Sequence, residues 1–389
     1  MSQNTLTQQT SILVYKSYGG MGDIFFTIPS LYMLKQKFSN VTYATQPRFV
    51  KLFKANLPGI SVLDENEIDE SDFDEVIELG NYPKFHNDLE KKPQITYHTH
   101  KKVKQHSIEH YKDGIVAKFP ELIKTKEKYP YFPKTTSGEL YYTVHPGAGF
   151  LLKAWPIDYY AKLMELIHDY FPQLKAKIII GPNDPNPEAY FSNANLNYDL
   201  VTGGIDEVAK EISGAFFHIG NDAGITHLAA AFNIPILTIY GPTGPGSWGA
   251  FSETVELIWG KRGNCGQRCN YNVILACEDR VCLNKVSPKK MLFLLLRLFK
   301  RMGVEQTSTY LINPEFTASF EDNSIIFQSK ENEYLIDIND KESFEFMKNS
   351  LSKTEIIIDK IPKQFRDIFQ AMLELDLFEV IPNLRSLNK

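Results

Sequence analysis

Three groups of residues in this chain combine reactive side chains with a spacing that suits a ligand. The first is Gly220-Asn221-Asp222-Ala223-Gly224, followed by Thr226 and His227. It lies between an apolar stretch, Phe216 to Ile219, and a helical pattern from Ile225 to Phe232. Free N–H groups at such a helix N-terminus suit a phosphate, although an Asx pair in that place is equally an ordinary helix cap. The second is Ser17 to Asp23, SYGGMGD, whose glycines at 19, 20 and 22 permit close backbone approach and positive φ. Asp23 can cap the helix that begins there, or stand as a base at the mouth of a cleft. The G-x-G-x-x-G spacing with a later acidic residue is missing, which weakens a nicotinamide reading. The third is C-x3-C-x7-C-x4-C, formed by Cys265, Cys269, Cys277 and Cys282. Four thiolates in so short a span can surround one tetrahedral zinc or iron, the alternative being free buried thiols.

The strands and helices that hold these groups are read from periodicity. Phe216–Ile219 and Ile236–Tyr240 are strands joined through a helix, so they lie parallel, and ligands gather beyond the carboxyl ends of such strands. Upstream, Leu140–Val144 reads as a strand running into His145-Pro146-Gly147-Ala148-Gly149, then Lys153, then a helix from Ile157 to Tyr170 and a strand from Lys177 to Ile180. Lys153 is the cation placed to reach a diphosphate at these turns, against the plainer reading of a solvated loop lysine. The N-terminal part alternates in the same way. It has strands at Ser11–Lys16, Val41–Ala44 and Phe73–Leu79 and helices at Ile24–Lys37 and Arg48–Lys54, the pattern of a doubly wound domain. Histidines 98, 100, 106 and 110 invite a metal, but Lys101, Lys102 and Lys104 among them would repel it, leaving a basic loop suited to an anionic acceptor. Tyr129 to Gly138 has the composition of a linker and puts a boundary near 138.

Length and charge bound the function. At 389 residues and 43% apolar content the chain can form two cores plus an addition, and a net charge of −5 argues against a nucleic-acid partner. The longest apolar run, Met291–Leu296, is far too short to span a bilayer, so a cytoplasmic protein is expected. The basic ends of the helix Ser287–Met302 leave room for peripheral contact with the inner membrane.

In their order, Gly22-Asp23 with Thr27 and Pro29, His145-Pro146-Gly147-Ala148, Lys153-Ala154-Trp155-Pro156, Gly220 to Ala230 and Tyr240-Gly241-Pro242-Thr243 resemble the ADP-heptose:lipopolysaccharide heptosyltransferases, glycosyltransferase family 9. The resemblance covers about residues 11 to 300. It implies an α/β GT-B fold, two Rossmann-like doubly wound domains facing a cleft, with the acceptor on the first and the nucleotide-sugar on the second. It implies an inverting transfer of a sugar, a heptose from ADP-heptose, to a bacterial glycan or protein, with no catalytic metal. Asp23 would be the base. Lys153 would neutralise the diphosphate, and Ala148, Gly149, Asp222, Ala223 and Gly224 would line the phosphates and sugar, with Thr226 and His227 beside them. Where a hydroxyl residue is common in the family, this chain has Ala148 and Gly149, so backbone N–H groups must serve. The cysteine cluster resembles the structural iron finger of the protein-modifying heptosyltransferases of autotransporters. A GT-B sugar-nucleotide epimerase or hydrolase, and a non-catalytic nucleotide-sugar or peptide binder, are the competing readings.

The expected organisation is a disordered leader (1–10), an acceptor domain (11–138), a nucleotide-sugar domain (139–304) carrying the four-cysteine loop (265–282), and a small α+β domain (305–389). In that last part, short strands from Thr317 to Ile338 precede helical patterns at Lys341–Leu351 and Gln364–Leu375 and an apolar piece, Leu377–Ile381. The pattern resembles small winged-helix-like, PqqD-type peptide-binding domains; packing or homo-oligomerisation is the alternative role.

Overall fold

The computed structural model describes residues 9–16, 19–79, 105–122, 131–182, 184, 191, 196–260, 277–304, 306–312, 316–329, 333–338, 340–352, 356–357, 361–365, 368–369, 372, 375 and 377–384. The chain falls into two compact units. One holds 1–157, 175–192 and 197–285; the other holds 158–174, 193–196 and 286–389.

The first unit contains two sheets, parallel throughout. In the first, β1 (Ser11–Tyr15), β2 (Asn40–Thr45), β3 (Ser61–Asp64) and β4 (Glu75–Glu78) take the order β3-β2-β1-β4. Branched and aromatic residues of SILVY are covered on both faces, as strands in a parallel sheet must be. The turn after β1 leads into α1 (Met21–Phe25) and α2 (Ile28–Lys35), where sequence periodicity suggests a single helix. Pro29 is the reason for the break. It has no N–H to bond the Phe25 carbonyl, while the Thr27 hydroxyl donates back to the Ile24 carbonyl at 2.7 Å. Among the described residues this half also holds α3 (Pro47–Asn56) and α4 (Ser107–Lys118). His98 and His100 lie outside the described residues; His106 caps α4, its ring accepting the Ile108 N–H.

The second sheet comprises β5 (Tyr141–His145), β6 (Lys175–Ile179), β7 (Tyr198–Val201), β8 (His218–Asn221), β9 (Ile236–Tyr240) and β10 (Val255–Trp259) in the order β10-β9-β8-β5-β6-β7. Counted within the sheet this is 6-5-4-1-2-3, the doubly wound dinucleotide-fold order, which reverses direction between β5 and β8. Its helices within this unit include α6 (Ile205–Ser213), α7 (Gly224–Ala231), α8 (Pro245–Trp248) and α9 (Val281–Asn284); α5 (Ile157–Tyr170) belongs to the other unit.

The stretch expected to be a linker does more than connect. Phe132 is buried, its N–H donates to the Ala231 carbonyl at 2.8 Å, and its ring lies 6.2 Å from Phe25, 6.1 Å from Phe53 and 5.3 Å from Phe232. Helices of the first sheet and the end of α7 therefore share one aromatic core.

In the second unit, α10 (Pro288–Arg301) is capped by the Ser287 hydroxyl. Its Phe299 packs on Phe171 at 5.4 Å. Beyond it lie two antiparallel sheets, β15-β11-β16 (Ile356–Ile357, Gln306–Ile312, Phe378–Leu384) and β12-β13-β14 (Thr317–Glu321, Ser324–Gln328, Glu333–Asp337), with α11 (Lys341–Leu351). Asp322 takes a positive φ of 48° in the turn between β12 and β13. No helix among the described residues is long and apolar enough to cross a membrane.

Candidate functional site

The strand order of the second sheet opens a crevice at the carboxyl ends of β5 and β8, where His145 is in register with Gly220. Asn221 stitches that junction together. Its Nδ2 donates to the carbonyls of Pro146 at 2.8 Å and Gly147 at 3.0 Å, and its Oδ1 accepts the Trp155 N–H at 2.9 Å. Thr226 is equally committed: it is fully buried and its hydroxyl donates to the Asn221 carbonyl at 2.7 Å. Beneath it, burial pushes His218 down to about 3, with the charge of His145 adding to the effect, so this imidazole is neutral. Between about pH 6.5 and 3 the unfolded chain takes up a proton that the folded protein refuses, so stability falls as pH falls, by up to ~1.4 kcal/mol per pH unit. Denaturant titrations should give a shallower acid dependence for His218→Gln over that window; an unchanged slope would show that another group sets it.

Asp222 is the electrostatic centre of the site. Its Oδ2 takes the Lys153 ammonium at 2.9 Å and the hydroxyl of Thr243. His227 Nε2 lies 3.8 Å from Oδ1, beyond hydrogen-bond reach. Burial pushes the Asp222 carboxyl up, but His227, the Lys153 ammonium and Thr243 outweigh it and hold the group well below the usual carboxylate range. Lys153 ends a 3-10 turn, Leu151–Lys153, and its side chain is 21% exposed against 5% for Asp222, so the cation is the member of the pair that reaches solvent. Around them, Ala148 is half-buried, Gly149 exposed, and Ala223 is the extended residue that opens α7. The first N–H groups of α7 have no partner within the helix.

Two glycines in the turns prove to serve packing between the halves. A Cβ on Gly22 would sit 2.5 Å from His227 Cδ2, and one on Gly224 would sit 2.6 Å from Met21 Cβ. Helix α1 is thus seated directly on the first turn of α7, and Asp23 rides on α1 beside that contact. Asp23 Oδ2 accepts the Gly20 N–H at 2.9 Å, while Oδ1 is buried and accepts no hydrogen bond among the described residues. The seat continues as an aromatic column: Phe26 lies 4.7 Å from His227 and 5.1 Å from His106, whose Nε2 bonds the Gly249 carbonyl at 2.9 Å.

Sequence reading missed Lys16. This lysine directly follows β1 and is buried, its Nζ 3.4 Å from the Leu79 carbonyl and 5.2 Å above the Tyr111 ring, and burial lowers its pKa against the opposing charges of Asp23 and Glu78. A charge closing an apolar strand was the available signal. Of the cysteines, Cys265 and Cys269 lie outside the described residues; Cys282 is buried in α9 and Cys277 is half-buried, with a turn at Arg280 (φ 43°) between them. Among the described residues no three His, Cys, Asp or Glu side chains gather as a metal-binding group.

Two consecutive parallel doubly wound sheets, each with its candidate residues at the carboxyl edge, make this a GT-B protein. Residues 86–275 match the model of glycosyltransferase family 9 (heptosyltransferase). Lipopolysaccharide heptosyltransferase 1 of Salmonella typhimurium is 32% identical over 105 residues, a match that covers 26% of this chain and about a third (32%) of that protein. Among solved structures, a family 9 glycosyl transferase from Veillonella parvula superposes with a TM-score of 0.63 at 15% identity, over 77% of this chain and all (100%) of that one. TibC of enterotoxigenic Escherichia coli, a dodecameric iron-containing heptosyltransferase solved with ADP-D-β-D-heptose, gives 0.54 at 12% identity over 77% of this chain and 79% of its own. At these identities the structural likeness is one of fold.

Proposed function

We propose that this chain transfers a heptose from ADP-heptose to a hydroxyl of a bacterial glycan or protein, inverting the anomeric carbon. The observation that carries this reading is the seating of α1 on α7, which brings Asp23 and the Lys153–Asp222 pair into one compact unit at the carboxyl edges of two parallel sheets. Asp23 Oδ1 takes the proton of the acceptor hydroxyl as its oxygen attacks the anomeric carbon. The bond from that carbon to the diphosphate breaks, and ADP leaves with the electron pair. Lys153 and the first N–H groups of α7 oppose the charge growing on the phosphate oxygens. Ala148, Gly149 and Ala223 supply backbone around the phosphates, and Asp222 Oδ1 is available to a sugar hydroxyl. Thr226 and His227 support the site from behind.

The test is incubation of the purified protein with a panel of nucleotide-sugars, with and without bacterial extract as acceptor, following nucleotide release. Consumption of ADP-heptose that depends on extract is expected. Equal consumption without acceptor would favour an epimerase or hydrolase, and no turnover with tight binding would favour a binding protein.

We also assign Cys265, Cys269, Cys277 and Cys282 a structural metal, zinc or iron, on the strength of a four-thiolate donor set that suits a tetrahedral ion. When bound, such an ion cross-links the 265–282 loop, and no chemical step needs it. Protein purified without chelator should carry about one equivalent, and stripping it should lower the melting temperature more than the activity at 25 °C. Metal-free protein with all four thiols freely titratable would refute the site.

A further inference from the structure

The first crossover of the second sheet carries a buried imidazole–carboxylate pair with no part in the transfer chemistry proposed for Asp23, Lys153 and Asp222. His145 is the last residue of β5, and Asp184 stands in the turn beyond β6. His145 Nε2 lies 3.1 Å from Asp184 Oδ2, with the two side chains only 8% and 11% exposed. The Gly181 N–H donates to the same oxygen at 2.6 Å. Burial raises the Asp184 carboxyl, but His145 and that N–H outweigh it, so the group stays ionised.

The other carboxylate oxygen lies flush against the backbone of Gly147, where an added Cβ would stand 1.8 Å from Oδ1. On the opposite side Asn221 holds the carbonyls of Pro146 and Gly147. The two-residue turn is therefore gripped from both flanks. Directly after it come Ala148 and exposed Gly149, and a Cβ on Gly149 would meet nothing within 4 Å among the described residues. So much buried polar structure around Gly147, next to a glycine that packing does not require, is the arrangement of a support for a precisely aimed backbone.

We propose that Asp184 and His145 are positioning residues for the nucleotide-sugar: they clamp Gly147 so that the backbone N–H groups of Ala148 and Gly149 face the diphosphate. The clamp rests on the glycosyltransferase reading of the same site. The alternative is a plain tie between β5 and the loop after β6.

Calorimetric titration with ADP, beside donor kinetics and melting curves, separates the two. Asp184→Ala should weaken ADP and raise the donor KM by roughly 10- to 100-fold, a cost like that of losing the partner behind a metal ligand, with kcat changed far less. Asp184→Asn keeps an oxygen for Gly181 and His145 and should restore most of the affinity. Gly147→Ala should be at least as damaging as Asp184→Ala, because its methyl must expel the carboxylate. Combining Gly147→Ala with Asp184→Ala removes that clash, so the pair should cost no more than the worse single change. A plain structural tie predicts lower melting temperatures for Asp184→Ala with ADP affinity equal to wild type, and that result would overturn the clamp. Failure of Asp184→Asn to rescue would overturn it too. Wild-type protein that binds no ADP would instead remove the nucleotide reading itself.

Discussion

Asp23→Asn is expected to abolish transfer while leaving ADP affinity within a few-fold of wild type. The substitution keeps the shape of the side chain and an oxygen for the Gly20 N–H, which Asp23 accepts at 2.9 Å, so the start of α1 should persist. The proton acceptor is lost. A general base contributes typically 10² to 10⁴ in rate, roughly 3 to 5 kcal/mol of barrier. Oδ1, which is buried and accepts no hydrogen bond among the described residues, is the atom on which that loss falls. Single-turnover transfer from saturating ADP-heptose, with ADP titration alongside, reads the two quantities separately. Turnover like that of wild type would remove Asp23 from the mechanism, and a parallel collapse of ADP affinity would show that the change disturbed the seat between α1 and α7.

The candidate site residues were legible because their signals are local. A buried apolar run, a glycine turn and a helical pattern within Phe216–Tyr240 suffice to place Asp222 at a strand end, and β9 appears at the expected bounds. Asp23 was readable for the same reason. The edge strands β3 and β7 were not, because they are four residues long and half-exposed, with Asp199 and Leu200 both open to solvent, so neither shows an apolar run. The split between α1 and α2 could have been read from Pro29. The purpose of Gly22 and Gly224 could not: each is required by a side chain some two hundred positions away, His227 for the one and Met21 for the other, and no local pattern reports such a contact. Asp184 is hidden in the same way, inside a proline-rich loop whose sequence shows only turn chemistry.

Opposite effects on ADP affinity are expected from the two halves of the Lys153–Asp222 pair. Lys153→Ala removes the cation and leaves a nearly buried carboxylate near the arriving diphosphate, so ADP should weaken by about 1.5 to 3 kcal/mol, the range for hydrogen bonds to charged groups. Asp222→Asn removes a charge that competes with the diphosphate for Lys153, and its side chain can still accept from Thr243; ADP should bind as well as to wild type or better. Transfer should nevertheless fall, because the ionised Oδ1 is lost to the sugar. The stability signature differs as well. Asp222 has a depressed folded pKa, so its contribution is fully present above the unfolded value of about 3.9 and is lost as pH falls through the folded one. The difference in melting temperature between wild type and Asp222→Asn should accordingly be constant at neutral pH and shrink in strong acid. Calorimetry with ADP decides the functional half: if both variants weaken it equally, the pair acts only as a structural brace and Lys153 does not meet the diphosphate.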